Sequence, residues 1–354
     1  MTSPLHTPLC DLLGSRYPIV QTGMGWVATP ELTAAASNAG AFGFLAAATI
    51  PPDQVGPAIE RTQRLTDRPF GVNFLMDAPG ADVISEAVIA HGVRAAGYNR
   101  APDPSLIQRL KAAGVVCIPT CGAVKHAVKA EKLGADAIIV QGAEGGGHTG
   151  SVPTSLLVSQ CADAVRVPIL AAGGFRDGRG LVAALALGAK GVAMGTRFVL
   201  TRESPVPDAT AQRFVAAGVD DVIVSTVLDG MPQRMIRNEL IDELERKGPL
   251  ARLWLSFRNA MELRRATGAS IPDLLRSGLA MRRHERMSRS QMLMAANAPI
   301  LARRAMQDGD PAGGYLPSGT VTGVIDDRPS CAELVARIVE EAETTLKNLA
   351  NGAR

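Results

Sequence analysis

Along the first two hundred residues, one phrase recurs: a helix-like run ends in glycine, and a short, wholly apolar run follows. It appears as SNAG-AFGFLAA, IAHG-VRAAGY, KAAG-VVCIP, EKLG-ADAIIV and LALG-AKGVAMG, with Gly40, Gly92, Gly114, Gly134 and Gly188 at the joints. A residue closing a helix in this way adopts a left-handed conformation that glycine takes without strain. The runs that follow are continuously apolar and do not alternate, the mark of strands covered on both faces as in a parallel sheet.

Strands of the same character without the phrase bring the number to eight, at about 18–22, 41–47, 69–74, 93–97, 115–119, 136–141, 167–172 and 190–195. Helical patterns separate them, for example at 104–113, 123–133 and 180–187. Eight βα units predict an α/β fold, a closed (β/α)8 TIM barrel more readily than an open doubly wound sheet. After about residue 200 the rhythm stops, and 201–310 reads as helices with loops. The loop PAGGYLPSGTVTG then leads to a capped helix at about 330–348. The expected organisation is a barrel from 1–200 plus 325–354, with a mainly helical lid, 201–324, inserted after the eighth strand. The last helix returns as the eighth outer helix.

The composition, 46% hydrophobic and 20% charged over 354 residues with few aromatics, suits a large core with Ala-rich helices and not disorder. A net charge of +3 without a block of like charge gives no reason to expect a nucleic-acid partner. Five cysteines (Cys10, Cys117, Cys121, Cys161 and Cys331) form no CxxC pair and read as reduced thiols of a cytoplasmic protein, with no metal site expected. No signal peptide is expected at the N-terminus. The uncharged stretch 32–52 is interrupted by Asn38, Gly40, Gly43, Pro51 and Pro52, which argues against a membrane span.

Ligands of such barrels bind at the carboxyl ends of the strands. Gln21-Thr22-Gly23-Met24-Gly25 follows the first strand and Asn73 ends the third. The sixth ends in Gln141 and opens into Glu144-Gly145-Gly146-Gly147-His148-Thr149-Gly150. Gly173-Gly174 follows the seventh, and Gly195-Thr196 the eighth. That last pair of loops offers backbone N–H groups next to helix N-termini, the phosphate cradle of this fold. Two segments, Gly23 to Ala28 and Gly145 to Gly150, mimic a dinucleotide fingerprint, but neither following strand ends in the carboxylate that would hold a ribose. Walker A, HExxH and GxSxG sequences are absent. Of five histidines, only His148 lies in a Gly-rich loop at a strand's carboxyl end, where it could relay a proton beside a cofactor.

PIVQTGMGWV, EGGGHTG, PILAAGGFRDGRG, GVAMGTRF and QMLMAAN, in this order over essentially the whole chain, resemble the nitronate monooxygenase (2-nitropropane dioxygenase-like) flavoproteins. That group also includes flavin enoyl-acyl-carrier reductases and NADH:quinone reductases. The resemblance implies FMN, with Gly23, Met24 and Gly25 beside the ring and Asn73 and Gln141 at its polar edges. It places Gly146 and Gly147 along the ribityl chain, Gly173, Gly174, Gly195 and Thr196 at the phosphate, and Ser318 and Gly319 in a late Gly-rich contact. His148 falls on the family's catalytic histidine, and NADH or NADPH is a compatible reductant.

The EGGGHTG loop, with Thr149 where arginine is common, departs from the alanine-containing EAGGHRG loop of true nitronate monooxygenases. DGMPQRMIRNEL and the DDRPSC turn look closer to relatives in bacterial steroid ring C/D degradation, which act on acyl-CoA thioesters. The expected activity is therefore FMN-dependent oxidoreduction of an acyl-CoA thioester, by a soluble protein for which a homodimer is compatible. Oxidation of alkyl nitronates by O2, NAD(P)H:quinone reduction, and a flavin-free barrel acting as a binding module stand as alternatives. Residues 251–310 hold eleven arginines, no lysine and five acids, a local excess of six positive charges. Arginine's planar fork suits phosphate, which points to Arg282, Arg283, Arg286 and Arg289 as a site for the CoA phosphates; a solvated helical face is the plainer reading.

Overall fold

The computed structural model describes residues 4–99, 103–247, 261 and 297–352. Its strands in chain order are β1 (Ile19–Gln21), β2 (Phe42–Ala46), β3 (Gly71–Leu75), β4 (Ala95–Asn99), β5 (Val116–Cys121), β6 (Ile138–Gln141), β7 (Gly147–His148), β8 (Ile169–Ala172), β9 (Gly191–Met194), β10 (Val222–Ser225) and β11 (Gln233–Ile236). β1 to β6, β8 and β9 are parallel neighbours in a closed barrel, which β9 completes by pairing Val192 with Ile19 and Met194 with Gln21. The eight expected strands are these eight. The five joint glycines all have positive φ, from 62° to 96°.

The continuously apolar runs are buried along their whole length, as β2, β8 and β9 show. Val20, Phe42, Phe44, Ile118, Ile139, Leu170 and Ala193 meet in one core cluster. The first helix, α1 (Pro8–Leu13), adds Leu9 and Leu13 to it. A Cβ on Gly191, the first residue of β9, would come within 2.6 Å of Leu9. Helix α1 therefore packs at the amino ends of the strands and leaves the carboxyl ends open.

The remaining described helices are α2 (Pro30–Asn38), α3 (Val55–Leu65), α4 (Ala81–Ala90), α5 (Pro104–Ala112), α6 (Val124–Lys132), α7 (Thr154–Ala164), α8 (Gly178–Ala186), α9 (Thr196–Val199), α10 (Asp208–Ala216), α11 (Glu239–Arg246), α12 (Asn297–Met306) and α13 (Cys331–Ala350). α13 packs between α8 and α2, the place of the eighth outer helix. It starts with a reciprocal cap: Ser330 Oγ accepts from Glu333 N, and Ser330 N donates to the Glu333 carboxylate at 2.9 Å. α8 begins two residues earlier than its pattern predicts, because Asp177 Oδ1 accepts from Gly180 N at 2.9 Å and caps the helix ahead of its two glycines. Gly178 also lets two backbones touch: a Cβ there would lie 2.3 Å from Ala342 N and 2.4 Å from Ile338 O.

The expectation of helices and loops after residue 200 needs correction. β10 and β11 form an antiparallel hairpin, and β7, from the EGGGHTG loop, pairs with β11 as its third strand. β10 and β11 have four residues each and do not alternate cleanly between buried and exposed, so period alone hides them. The Asp229-Gly230 step, with Gly230 at φ 81°, is the turn chemistry that marks the reversal. The hairpin shares a core with α11 and α12 through Val227, Leu228, Met235, Ile241, Leu244 and Leu301.

Candidate active site

One cavity of about 290 Å³ opens at the carboxyl ends of the barrel strands. Gly23, Met24, Gly25, Asn73, Gln141, Gly146, Gly147, His148, Gly173, Gly174, Gly195, Thr196 and Gly319 all line it. Seven separate segments thus bring almost every expected site residue to one place. Ser318 is fully buried behind the wall, its Oγ donating to Gly319 O at 3.2 Å. Arg282, Arg283, Arg286 and Arg289 lie outside the described residues.

Asn73 reaches the cavity because two neighbours have no side chain. A Cβ on Gly23 would lie 2.4 Å from Asn73 Cβ, and one on Gly97 would lie 3.0 Å from its Nδ2. Opposite, the walls meet backbone to backbone. A Cβ on Gly146 would approach Gly319 N and Ser318 C to 2.7 Å, and Gly319 N donates to Thr196 Oγ1 at 2.9 Å. Gly173 and Gly174 follow one another at φ 100° and 85°, a pair of left-handed residues that only glycine takes readily. The N-terminus of α8 is already capped by Asp177, so at this end of the cavity the single turn α9 and the two glycine loops supply the exposed backbone. Glu144 is also committed: its Oε2 accepts from Thr154 N at 2.9 Å and Thr154 Oγ1 at 2.5 Å, capping α7.

His148 is held from two sides. Gln141 Nε2 donates to its carbonyl at 2.9 Å, and its half-exposed ring places Nε2 2.8 Å from Asp229 Oδ2. Asp229 is 4% exposed. Gln233 Nε2 donates to its Oδ2 at 2.6 Å and Met231 N to its Oδ1 at 2.9 Å. Burial raises the Asp229 carboxyl, but the hydrogen bond and charge of His148, with the donors from Gln233 and Met231, outweigh it. The net shift is downward, and the group is a carboxylate at neutral pH. Close by, burial and then the charge of Asp229 push the phenol of Tyr315 far above its ordinary range. Its Oη has no hydrogen-bond partner among the described residues.

Asp229, Gln233 and Tyr315 were not marked by sequence reasoning. The Asp-Gly turn was the available signal, but nothing local says that it folds back to residue 148. Trp26 was also missed. It is the sole non-glycine residue with positive φ, 67°, among those described, and its indole N–H donates to Pro299 O of α12 at 2.9 Å. A residue so placed stores strain of about 1–3 kcal/mol, sustained here by the bond that ties the Gly23–Gly25 loop to the inserted region.

The five cysteines are free and buried. Burial raises Cys117, Cys121 and Cys331 to about 12 and Cys161 to about 11, which leaves them as inert thiols. Among the described residues no group of His, Cys, Asp and Glu could hold a metal, and no helix is long and apolar enough to cross a membrane.

Comparison with known proteins places these features in a family. The nitronate monooxygenase family model matches residues 6–341. The chain is 49% identical, over 346 residues, to a (3aS,4S,5R,7aS)-5-hydroxy-7a-methyl-1-oxo-octahydro-1H-indene-4-carboxyl-CoA dehydrogenase of Mycobacterium tuberculosis, covering 97% of this chain and 98% of that protein. A probable nitronate monooxygenase of Staphylococcus saprophyticus is 33% identical over 287 residues, 68% of this chain and 81% of that protein. The solved structure of FabK from Thermotoga maritima matches with a TM-score of 0.80 at 32% identity, over 98% of this chain and 99% of that one.

Proposed function

The chain belongs to the nitronate monooxygenase family of oxidoreductases, and on that premise we propose that it is an FMN-dependent dehydrogenase of a ring-fused hydroxyacyl-CoA thioester. The observation that carries the reading is His148, fastened to Asp229 at the rim of a cavity walled by glycine backbone. The near full-length similarity to the indene-carboxyl-CoA dehydrogenase supplies the substrate class.

The residues present suit FMN. Gly146, Gly173 and Gly319 stand where a Cβ would collide with the facing backbone, so the walls are bare amide surface, as a phosphate and ribityl chain require. In this reading Gly173, Gly174, Gly195 and Thr196 hold the phosphate, and Gly146, Gly147 and Gly319 flank the ribityl chain, with Ser318 backing them. Gly23, Met24 and Gly25 border the ring, with Asn73 and Gln141 at its polar edges. FMN, when bound, would supply the hydride acceptor for the substrate. The protein's own part is to hold the substrate, exclude water and move a proton at His148.

The substrate class proposed here is a hydroxyacyl-CoA thioester on a fused carbocycle, from which dehydrogenation removes two hydrogens. Arg282, Arg283, Arg286 and Arg289 are proposed to meet the CoA phosphates. We assign residues 1–200 and 325–354 to the barrel, 201–324 to the region over its mouth, and the protein to the cytoplasm. The test is anaerobic mixing of the yellow protein with the hydroxy-indane carboxyl-CoA ester, its free acid and an alkyl nitronate in parallel. Bleaching by the CoA ester alone supports the reading. Bleaching or O2-dependent turnover with the nitronate alone overturns it.

A further inference from the structure

The cradle of His148 determines which of its nitrogens can do chemistry. Asp229 offers His148 Nε2 only an ionised oxygen, and an ionised carboxylate accepts hydrogen bonds and donates none. Its two oxygens are also oriented. Oδ1 takes Met231 N, a backbone donor that cannot change role, and Oδ2 takes Gln233 Nε2 beside His148. The proton of a neutral His148 therefore sits on Nε2, inside the Asp229 bond. Nδ1 is left with its lone pair and has no partner among the described residues, and the ring lines the cavity.

The surrounding groups favour no other arrangement. Glu144, the other acid of the loop, is occupied by Thr154, and Gln141 is engaged with the His148 backbone. Arg234, paired in register with Gly147, donates its Nε to Ala143 O at 2.9 Å. Tyr315, with its phenol pushed upward, stays neutral and can supply no competing charge.

We infer that His148 works through Nδ1 as a base, and that Asp229, delivered by the β10–β11 hairpin, is the positioning residue that selects this tautomer. The inference rests on the oxidising direction proposed above. As the thioester is dehydrogenated, one substrate hydrogen leaves as a proton to Nδ1. The other leaves with its electron pair to the bound flavin, and the two substrate atoms that lost them gain a double bond. The substrate is oxidised by two electrons and the flavin is reduced by two.

Asp229→Asn gives the sharpest test, because the surroundings dictate how the amide must sit. Met231 N demands an acceptor and cannot change role, whereas the Gln233 amide can turn over to present its oxygen, so the Asn oxygen occupies the Oδ1 place and its NH2 faces Gln233 and His148. Nε2 must then accept, the proton moves to Nδ1, and the base is blocked. The measurement is a long-range 1H–15N correlation spectrum of histidine-labelled, flavin-loaded protein, with His148 assigned by the loss of its signals in His148→Gln. The wild type is expected to show a protonated Nε2 and a bare Nδ1. Asp229→Asn is expected to show the reverse and to keep its flavin. Its kcat should fall about 10²–10⁴-fold, the usual worth of general base help, at nearly unchanged KM. A wild-type spectrum with the proton on Nδ1 overturns the inference, as does an Asp229→Asn protein with unchanged turnover. Should that variant fail to fold, the wild-type spectrum decides alone. That spectrum needs no substrate, so a failure of the tautomer and a failure of the proposed substrate show up separately.

Discussion

The guanidinium of Arg197, a 4% exposed residue of α9, lies 2.8 Å from the carboxylate of Asp327, 130 residues further on at the entry to α13. Arg197 also donates to Asp327 O and Leu200 O, and Arg337 reaches the other carboxylate oxygen at 2.7 Å. Burial lowers the Arg197 pKa despite the pull of Asp327. The chain thus returns from the inserted region to its barrel on a buried cation and a shared anion, next to the loop that carries Thr196.

Removing the anion from that arrangement leaves a buried charge unpaired. Asp327→Asn is expected to cost about 2–4 kcal/mol in urea unfolding, somewhat below the usual cost for a fully buried pair because Asp327 is part-exposed. Burial raises the Asp327 carboxyl, but Arg337 and Arg197 outweigh it and the folded pKa is lowered. Its stabilisation is therefore present above the unfolded value near 3.9 and is lost as pH falls below it. The variant should show a smaller loss of stability between about pH 5 and pH 3 than the wild type; an identical acid profile would contradict this account.

Gly178→Ala tests the contact between α8 and α13. The added methyl would stand 2.3 Å from Ala342 N, and backbone on both sides leaves nothing flexible to yield. Overpacking of this kind costs about 1–3 kcal/mol or more, which should lower the melting temperature by several degrees.

Gly173→Ala separates the cradle from the scaffold. The residue has φ 100°, and a Cβ would lie 2.9 Å from Gly145 N. The expected outcome is a folded barrel with the far-ultraviolet dichroism of the wild type and at least about tenfold weaker FMN binding, a loss of roughly 1.4 kcal/mol. Unchanged FMN affinity in a fluorescence titration would remove this loop from the phosphate site.

His148→Ala removes the proposed base and leaves the glycine walls untouched. FMN should be retained while turnover falls about 10²–10⁴-fold. Loss of the flavin together with activity would make His148 a structural residue.

The arginines at 282, 283, 286 and 289 are proposed to bear on affinity for the thioester. Replacing Arg282 and Arg283 with Ala should raise KM for a CoA ester and not for the free acid. Added salt should weaken binding of the ester in the wild type more than that of the acid. Equal salt dependence for both would leave the cluster as a surface.

The barrel was legible in the sequence because its signals are local. A glycine closing each helix and an apolar run of four to six residues after it are dictated within about a dozen positions, and Gly40, Gly114 and Gly188 all adopt the left-handed conformation this demands. The glycine loops and His148 could be read for the same reason, since in a parallel barrel every strand's carboxyl end faces one mouth. Only the tertiary structure decided what His148 is bonded to. Its partner Asp229 is 81 residues away, on a hairpin whose two four-residue strands carry no firm period and gain a third strand only when β7 pairs with β11. Pairing between segments so far apart depends on where the closed barrel holds their ends, and no window of sequence contains that information. Gly178 shows the same division: its sequence argues against a helix start, and only the backbone of α13 pressed against it explains why a glycine stands there.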